Sequence, residues 1–269
     1  MERARGEIHE EFEGAPSRWQ QLTAGQGKLV PTGRTLRFLL PGASQGTYAN
    51  AQIDDYQGLP RRRFRWQPPL KMSVRARFSH PSDQIRGTAG FGFWNDPFLM
   101  TEPRMPTLPR AAWFFYASQP SNMKLDLAVP GRGWKAAVVD ALRPAALPLA
   151  LVALPAIVAM NIPAVYQRIW PFFQRTLKIS EAPLAVEISQ WHNYVVAWGT
   201  DSTRFGLIGD DGQWQDVLEA PSPGGPLGFV MWMDNQYLVA TPWGKIRWGT
   251  LEIAKPQWLE VDNLSIEPL

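Results

Sequence analysis

The chain has 269 residues, 45% of them apolar, and a formal charge of only +3. That excludes wholesale disorder and fits one large domain over 1–269, long enough to bury a sizeable core. The basic cluster Arg61-Arg-Arg-Phe-Arg65 reads as a solvated loop, so no nucleic-acid partner is expected.

Cysteine is absent, which removes disulfides and thiolate chemistry. His9, His80 and His192 stand far apart with no ligand spacing, so no transition metal and no cofactor are expected. A calcium site of carboxylates and backbone oxygens stays open. Residues 1–11 show no apolar leader, which with the missing cysteines points to the cytoplasm. Aromatics are plentiful, at 13 Trp, 13 Phe and 6 Tyr, and Trp is favoured in ligand clefts and interfaces. The 25 Pro and 22 Gly suit many turns and short strands.

Residues 1–27 read as a polar tail with Trp19 and Leu22 as anchors. Residues 28–40 set Leu29, Val30, Leu36, Phe38 and Leu39 around a Pro-Thr-Gly turn, a hairpin pattern. Residues 42–56 look like a loop ending in Asp54 and Asp55, as turn residues or cleft acids. Leu70, Met72, Val74, Ala76 and Phe78 alternate with Lys71, Ser73, Arg75 and Arg77, which predicts a half-buried antiparallel strand. Residues 88–96 form a second strand whose glycines admit close approach, ended by Pro97. Residues 111–118, apolar on both faces, form a central third strand, and residues 123–129 a fourth.

The region 140–178 differs in kind. Residues 144–167 carry no charge across 24 positions, a length that could span a bilayer. Pro148, Pro155 and Pro163 cut it into pieces too short to span, which predicts a helical insertion of two or three short helices. Ile162, Val165, Ile169, Phe173 and Leu177 fall near helical spacing, with Arg168 and Arg175 elsewhere on the wheel. A core helix, a lid over a cleft and a membrane-surface anchor all fit, so peripheral membrane contact through 144–176 stays open.

Strand signals return at 191–198 and 203–207, with Gly209-Asp-Asp-Gly212 as a hairpin turn, and again at 237–240, 249–253 and 258–266. Between them lies Phe229-Val-Met-Trp-Met-Asp-Asn-Gln-Tyr237, an apolar run with a polar end. Alternation puts Trp232, Asp234 and Gln236 on one side. A carboxylate and an amide beside an indole are costly to bury without partners, and useful where a strand lines a cleft. A strand end capped by neighbouring backbone is the plainer alternative. Together these patterns predict an all-β, two-sheet antiparallel jelly-roll sandwich with a helical insertion at about 140–178.

Trp191-His-Asn-Tyr-x-x-x-Trp198-x-x-Asp201-x-x-x-Phe205, followed by Gly209-Asp210, resembles the His-x-Tyr-x-x-x-Trp…Asp-Gly segment of laminarinase-like β-glucanases. Those belong to the concanavalin A-like lectin and glucanase superfamily. Upstream, Val74-Arg-Ala-Arg-Phe78 and Gly90-Phe-Gly-Phe-Trp94 resemble that family's strand pair. The resemblance covers about 70–210 and implies a curved jelly roll with a concave ligand face. The family's Glu-x-Asp-x-x-Glu strand, source of nucleophile and acid, would fall on Ala112-Trp-Phe-Phe-Tyr-Ala-Ser118. That strand has no carboxylate, and the motif occurs nowhere else in the chain. A glucanase of that type is therefore not expected, and the fold alone does not supply the function.

In the resembling fold the middle strands of one sheet line the cleft. That brings Trp94, Trp113, Phe115, Tyr116, Trp232 and Gln236 to the candidate site, with Asp234 and Asp96 as facing acids in the event of catalysis. The plain alternatives are core packing for each Trp, a turn before Pro97 for Asp96, and a hydrogen-bonded core residue for His192. Three functions fit. One is a cytoplasmic protein that binds an apolar or amphipathic small molecule under the insertion. The second is an enzyme that uses a protonated Asp and aromatic faces to isomerise or cyclise an apolar, terpenoid-like substrate. The third is a carbohydrate-binding module or divergent glycoside hydrolase. A sugar cleft should be open and polar-rimmed, and an apolar cleft should be covered by the insertion.

Overall fold

The computed structural model of the chain describes residues 6–14, 16–97, 101, 104–146, 148–241 and 243–269. Its strands are β1 (Ile8–Glu10), β2 (Gln20–Ala24), β3 (Lys28–Pro31), β4 (Leu36–Leu40), β5 (Asn50–Asp54), β6 (Leu70–Phe78), β7 (Thr88–Trp94), β8 (Arg110–Ala117) and β9 (Gly133–Asp140). Then come β10 (Ser180–Pro183), β11 (His192–Trp198), β12 (Ser202–Ile208), β13 (Trp214–Pro221), β14 (Gly228–Asp234), β15 (Gln236–Ala240), β16 (Ile246–Thr250) and β17 (Gln257–Pro268). Between β9 and β10 lie α1 (Leu149–Ala159) and α2 (Pro163–Thr176).

All of these strands pair antiparallel. One sheet runs β13-β12-β11-β6-β17-β4-β3, with β1 alongside the end of β17 that β4 leaves free. The other runs β10-β9-β8-β7-β14-β5-β2, and β15 and β16 form a separate hairpin. This is the all-β sandwich with a helical insertion that the strand patterns predict.

The two sheets meet water differently. On β6 every second residue is buried, and Lys71, Ser73, Arg75 and Arg77 face outward. On β7 and β14 every residue is buried, so that sheet is covered on both faces. Between the sheets the core is aromatic. Tyr194 of β11 lies 5.3 Å from Phe91 and 5.1 Å from Phe114, ring centre to ring centre, and Trp134 closes the group at 5.5 Å from Tyr194. Edge-on ring pairs of this kind add about 0.5–1.5 kcal/mol each beyond area burial.

Several expectations change. The N-terminal segment is not a tail: β1 and β2 are paired strands, and Ile8, Phe12 and Trp19 are core residues. Residues 50–54 are a buried strand rather than loop, because the polar residues of β5 alternate with Ala51 and Ile53. Residues 123–129 are not a strand. Leu125 and Leu127 pack beneath α2 instead, and the Leu125 carbonyl accepts from Trp170 Nε1 at 2.7 Å. The fourth strand of that sheet is β9. Pro155 does not divide the insertion but lies inside α1. Pro148 caps α1, and Pro163 opens α2 at a first-turn position whose missing N–H costs nothing. His192 stands at the edge of the core, Nε2 2.9 Å from the Glu187 carbonyl.

The polar face of the larger sheet is organised by Glu260 of β17, whose carboxylate is almost fully buried. It accepts from Thr35 at 2.8 Å, Arg37 at 3.1 Å and Arg77 at 2.8 Å. Burial pushes this carboxyl up, but those hydrogen bonds outweigh it and hold the group below its ordinary value. Glu260→Ala should destabilise the fold by about 2 kcal/mol, because the two guanidinium groups are about one-third exposed and recover water. Chemical denaturation of parent and variant checks this, and an unchanged midpoint would refute it.

Candidate functional site

The registers set the outer face of the seven-stranded sheet in rows. One row is Asn50, Asp234, Thr88 and Ala117; the next is Gln52, Trp232, Gly90, Phe115 and Lys135. A third is Asp54, Val230, Gly92, Trp113 and Ala137, and a fourth brings Trp94 beside Ala111 and Val139. The centre of the face is therefore aromatic, with polar groups along β5 and at the corner around Asp234.

Two glycines make the floor. A Cβ on Gly90 would stand 2.9 Å from the Trp232 ring, and one on Gly92 2.7 Å from the Trp113 Cβ. Their absence lets both indoles lie on β7. Trp113 sits 5.6 Å from both Trp94 and Trp232, and Phe115 5.8 Å from Trp232.

The insertion covers this floor. Met160, Tyr166 and Trp170 belong to one apolar cluster with Trp94, Val139, Val230 and Trp232, and Trp113, Phe115, Leu125 and Leu127 pack against it. Three tethers hold α2 there. Trp170 bonds the Leu125 carbonyl, Gln174 Nε2 donates to Asp126 Oδ2 at 2.6 Å, and Tyr166 meets the Trp243 ring at 4.9 Å.

Asp234 ends β14 at the corner of this face and is 3% exposed. Its Oδ1 accepts from Thr88 Oγ1 at 2.8 Å, from the Thr88 amide at 3.3 Å and from the Gln236 amide at 2.9 Å. Trp232 Nε1 donates to Thr88 Oγ1 at 3.0 Å, which makes a short relay from indole to carboxyl. Oδ2 accepts from none of the described residues. Burial pushes the Asp234 carboxyl up to about 6 against those hydrogen bonds. Burial also raises the nearby Tyr48 phenol, and the Asp234 charge adds to that. Across the strand, the buried Asn50 Oδ1 has no hydrogen-bond partner among the described residues.

Of the residues expected from sequence, Trp94, Trp113, Phe115, Trp232 and Asp234 share this face. Tyr116 does not. Alternation turns it into the core between the sheets, where its hydroxyl donates to the Ser82 carbonyl. Gln236 also departs, because the chain bends at Asn235 and enters β15, and it reaches Asp234 only through its amide. Asp96 does not face Asp234. It follows the Trp94 end of β7, and Thr88 marks the Asp234 end, about 20 Å away at the usual strand rise. Asp96 is paired with the Arg104 guanidinium and Thr101. Tyr48 and Asn50 lay in a stretch that reads as loop, and no motif signalled them.

Other polar groups on this face are ion-paired or hydrogen-bonded. Lys135 Nζ lies 2.7 Å from Glu181 Oε1, both buried. Asp54 accepts from Gln52 at 2.9 Å and Gln57 at 2.6 Å. Among the described residues one trio, Glu7, His9 and Glu267, has ligand atoms within 4.8 Å of one another. It is solvated and away from this face, and Glu267 is taken by Lys71 at 2.6 Å.

The raised Asp234 carboxyl has a signed consequence. A folded-state value above the unfolded one means that stability falls as pH rises from about 4 to about 6. Asp234→Asn keeps the Oδ1 acceptor and removes the charge. Its stability relative to the parent should rise by about 3 kcal/mol between pH 4 and pH 7. Denaturation at several pH values measures this, and a gap that stays flat with pH would refute it.

No family model matches the chain, and no curated protein matches it. Solved structures do. An immunostimulatory antigen and pseudo β-1,3-glucanase of Mycobacterium tuberculosis aligns with TM-score 0.50 at 13% identity, over 97% of this chain and 98% of that one. A putative β-glucanase from Mycobacterium abscessus gives TM-score 0.50 at 13% identity, over 96% and 98%. A chain from work on endo-acting O-glycanases of the human gut microbiota gives 0.50 at 11%, over 97% and 98%. At such identities the likeness is one of fold, and the chain shares the two-sheet jelly roll of these structures.

Proposed function

We propose that the protein binds an amphipathic small molecule on the outer face of the seven-stranded sheet. Its apolar part lies against Trp94, Trp113, Phe115 and Trp232 beneath α2. Its polar part meets the corner of Asn50, Thr88 and Asp234. The observation that carries this reading is the single apolar cluster joining α2 to the sheet face. An open sugar cleft would leave that face to water. The corner supports a ligand with a hydrogen-bonding end, since Asn50 Oδ1 and Asp234 Oδ2 accept from none of the described residues. The glucanase and O-glycanase descriptions of the similar folds favour a sugar as that end.

A second reading makes the same face catalytic, as a divergent glycoside hydrolase or an enzyme that isomerises or cyclises an apolar substrate. Asp234 favours it, because a carboxyl held at about 6 carries a proton close to neutral pH. The two-carboxylate route of glucanases finds no support. It needs a second acid within about 5–9.5 Å. Asp54 is four residues from the Asp234 row, about 13 Å along the sheet, and Asp96 is farther. No reducing ends should appear from laminarin or lichenan. Their release, abolished by one acidic substitution, would overturn that expectation.

Binding is tested by titrating tryptophan fluorescence with an alkyl glycoside below its micelle concentration, with the free oligosaccharide, and with the matching alcohol. The alkyl glycoside should bind more tightly than either part, and Trp232→Ala should weaken it by about 1–3 kcal/mol. Equal affinity for the free oligosaccharide would favour a plain carbohydrate-binding module, and binding of none of the three would sink the proposal. If the bound glycoside turns over, Asp234→Asn should leave affinity nearly intact and slow turnover by roughly 10²–10⁴-fold.

A further inference from the structure

The outward side of the helical insertion is apolar and flanked only by basic residues. Between Asp140 and Glu181 the chain has no acid, and its charges are Arg143, Arg168, Arg175 and Lys178. α1 contains only Leu, Ala, Val, Ile and one proline, so it is apolar all the way round. Such a helix is ordinarily enclosed by protein or lipid. Here Val152 is 47% exposed, Val158 70%, and Ile162 at the entry to α2 57%. α2 turns Tyr166 and Trp170 inward, leaves Phe172 55% exposed, and exposes Arg168 and Arg175 as well. The β15–β16 hairpin, which touches α2 through Trp243, exposes Ile246 and Trp248 beside Lys245 and Arg247. Single exposed apolar residues are ordinary. Several on one charge-asymmetric element mark an interaction surface.

We propose that this surface docks on a membrane that carries anionic lipid. Val152, Val158, Ile162 and Phe172 enter the interface, and Arg168 and Arg175 meet lipid phosphates. Charge decides between the possible occupants. A second copy of the same patch would oppose arginine to arginine with no acid in the insertion to pair them. An anionic bilayer surface matches both the apolar and the basic components. The exposed Trp248 suits the headgroup layer, where indoles are enriched. The helices lie on the surface and do not cross it. At about 1.5 Å per residue, α1 and α2 are about 16 Å and 21 Å long, against a hydrocarbon core of about 30 Å. Among the described residues no helix is long and apolar enough to cross. This docking does not depend on what the aromatic face binds.

The test is co-sedimentation of the full chain with sucrose-loaded vesicles of phosphatidylcholine, or of phosphatidylcholine mixed with phosphatidylserine. The parent should bind the mixed vesicles at low salt, bind pure phosphatidylcholine less, and be partly released by high salt. The double variant Val158→Asp, Ile162→Asp should lose roughly tenfold or more in partitioning. Both positions are exposed, and an Asp at the N-cap of α2 is a favourable cap, so folding is retained and circular dichroism verifies it. Arg168→Gln with Arg175→Gln should lower binding to the mixed vesicles and leave the weaker binding to phosphatidylcholine unchanged. Parent protein that stays in the supernatant with mixed vesicles at low salt would overturn the proposal. So would a natively folded Asp variant that sediments like the parent. A parent that is a dimer, split by the same variant and indifferent to vesicles, would show that the face joins two copies.

Discussion

The central strands of the seven-stranded sheet are buried on both faces, and the aromatic rings on each face have to be kept from water. Aromatic rings bury about 150–250 Å² each, which at about 25 cal/mol per Å² is about 4–6 kcal/mol for each indole or phenyl ring left uncovered. The inner face meets the larger sheet, where Phe91, Phe114, Trp134 and Tyr194 interlock. Among the described residues the outer face meets no large sheet. It carries Trp94, Trp113, Phe115 and Trp232, and the chain covers them with α2, the loop bearing Leu125 and Leu127, and Trp243.

Burial sets the electrostatics of the site. An acid that loses water has its charged form disfavoured. Lys135 with Glu181, and Asp96 with Arg104, answer this by pairing. Among the described residues Asp234 has hydrogen bonds to one oxygen and no cation, and burial raises its carboxyl to about 6. A ligand of the proposed kind would have to match both the aromatic floor and this raised carboxyl.

The insertion carries two conflicting demands. Its inward residues are large and aromatic and are anchored by specific hydrogen bonds from Trp170 and Gln174. Its outward residues, Val152, Val158, Ile162 and Phe172, are apolar and exposed, with Arg168 and Arg175 among them. A helix that only covered a core would carry polar residues outside. The surplus apolar character of α1 and its basic flanks are what the proposed docking on an anionic membrane accounts for.

The architecture and much of the floor can be read from local pattern. The alternation of β6, the Gly-Phe-Gly-Phe-Trp pattern of β7 and the doubly apolar β8 identify strands and their faces, because side chains repeat every two residues whatever the partner. The same rule separates Trp113 and Phe115 from Tyr116, which shared their segment but never their face. The uncharged run at 144–167 announced the insertion. What that run covers depends on packing, since hydrophobicity states that a surface must be hidden and not where. The tertiary fold also sets the polar corner. Asn50 and Tyr48 come from a stretch that looks like a loop, and they meet Asp234 through a strand pairing between residues far apart in the chain. The distance between Asp96 and Asp234 was fixed in the same way, by register. Local pattern gives each side chain a face, and its partners follow from which strands lie side by side.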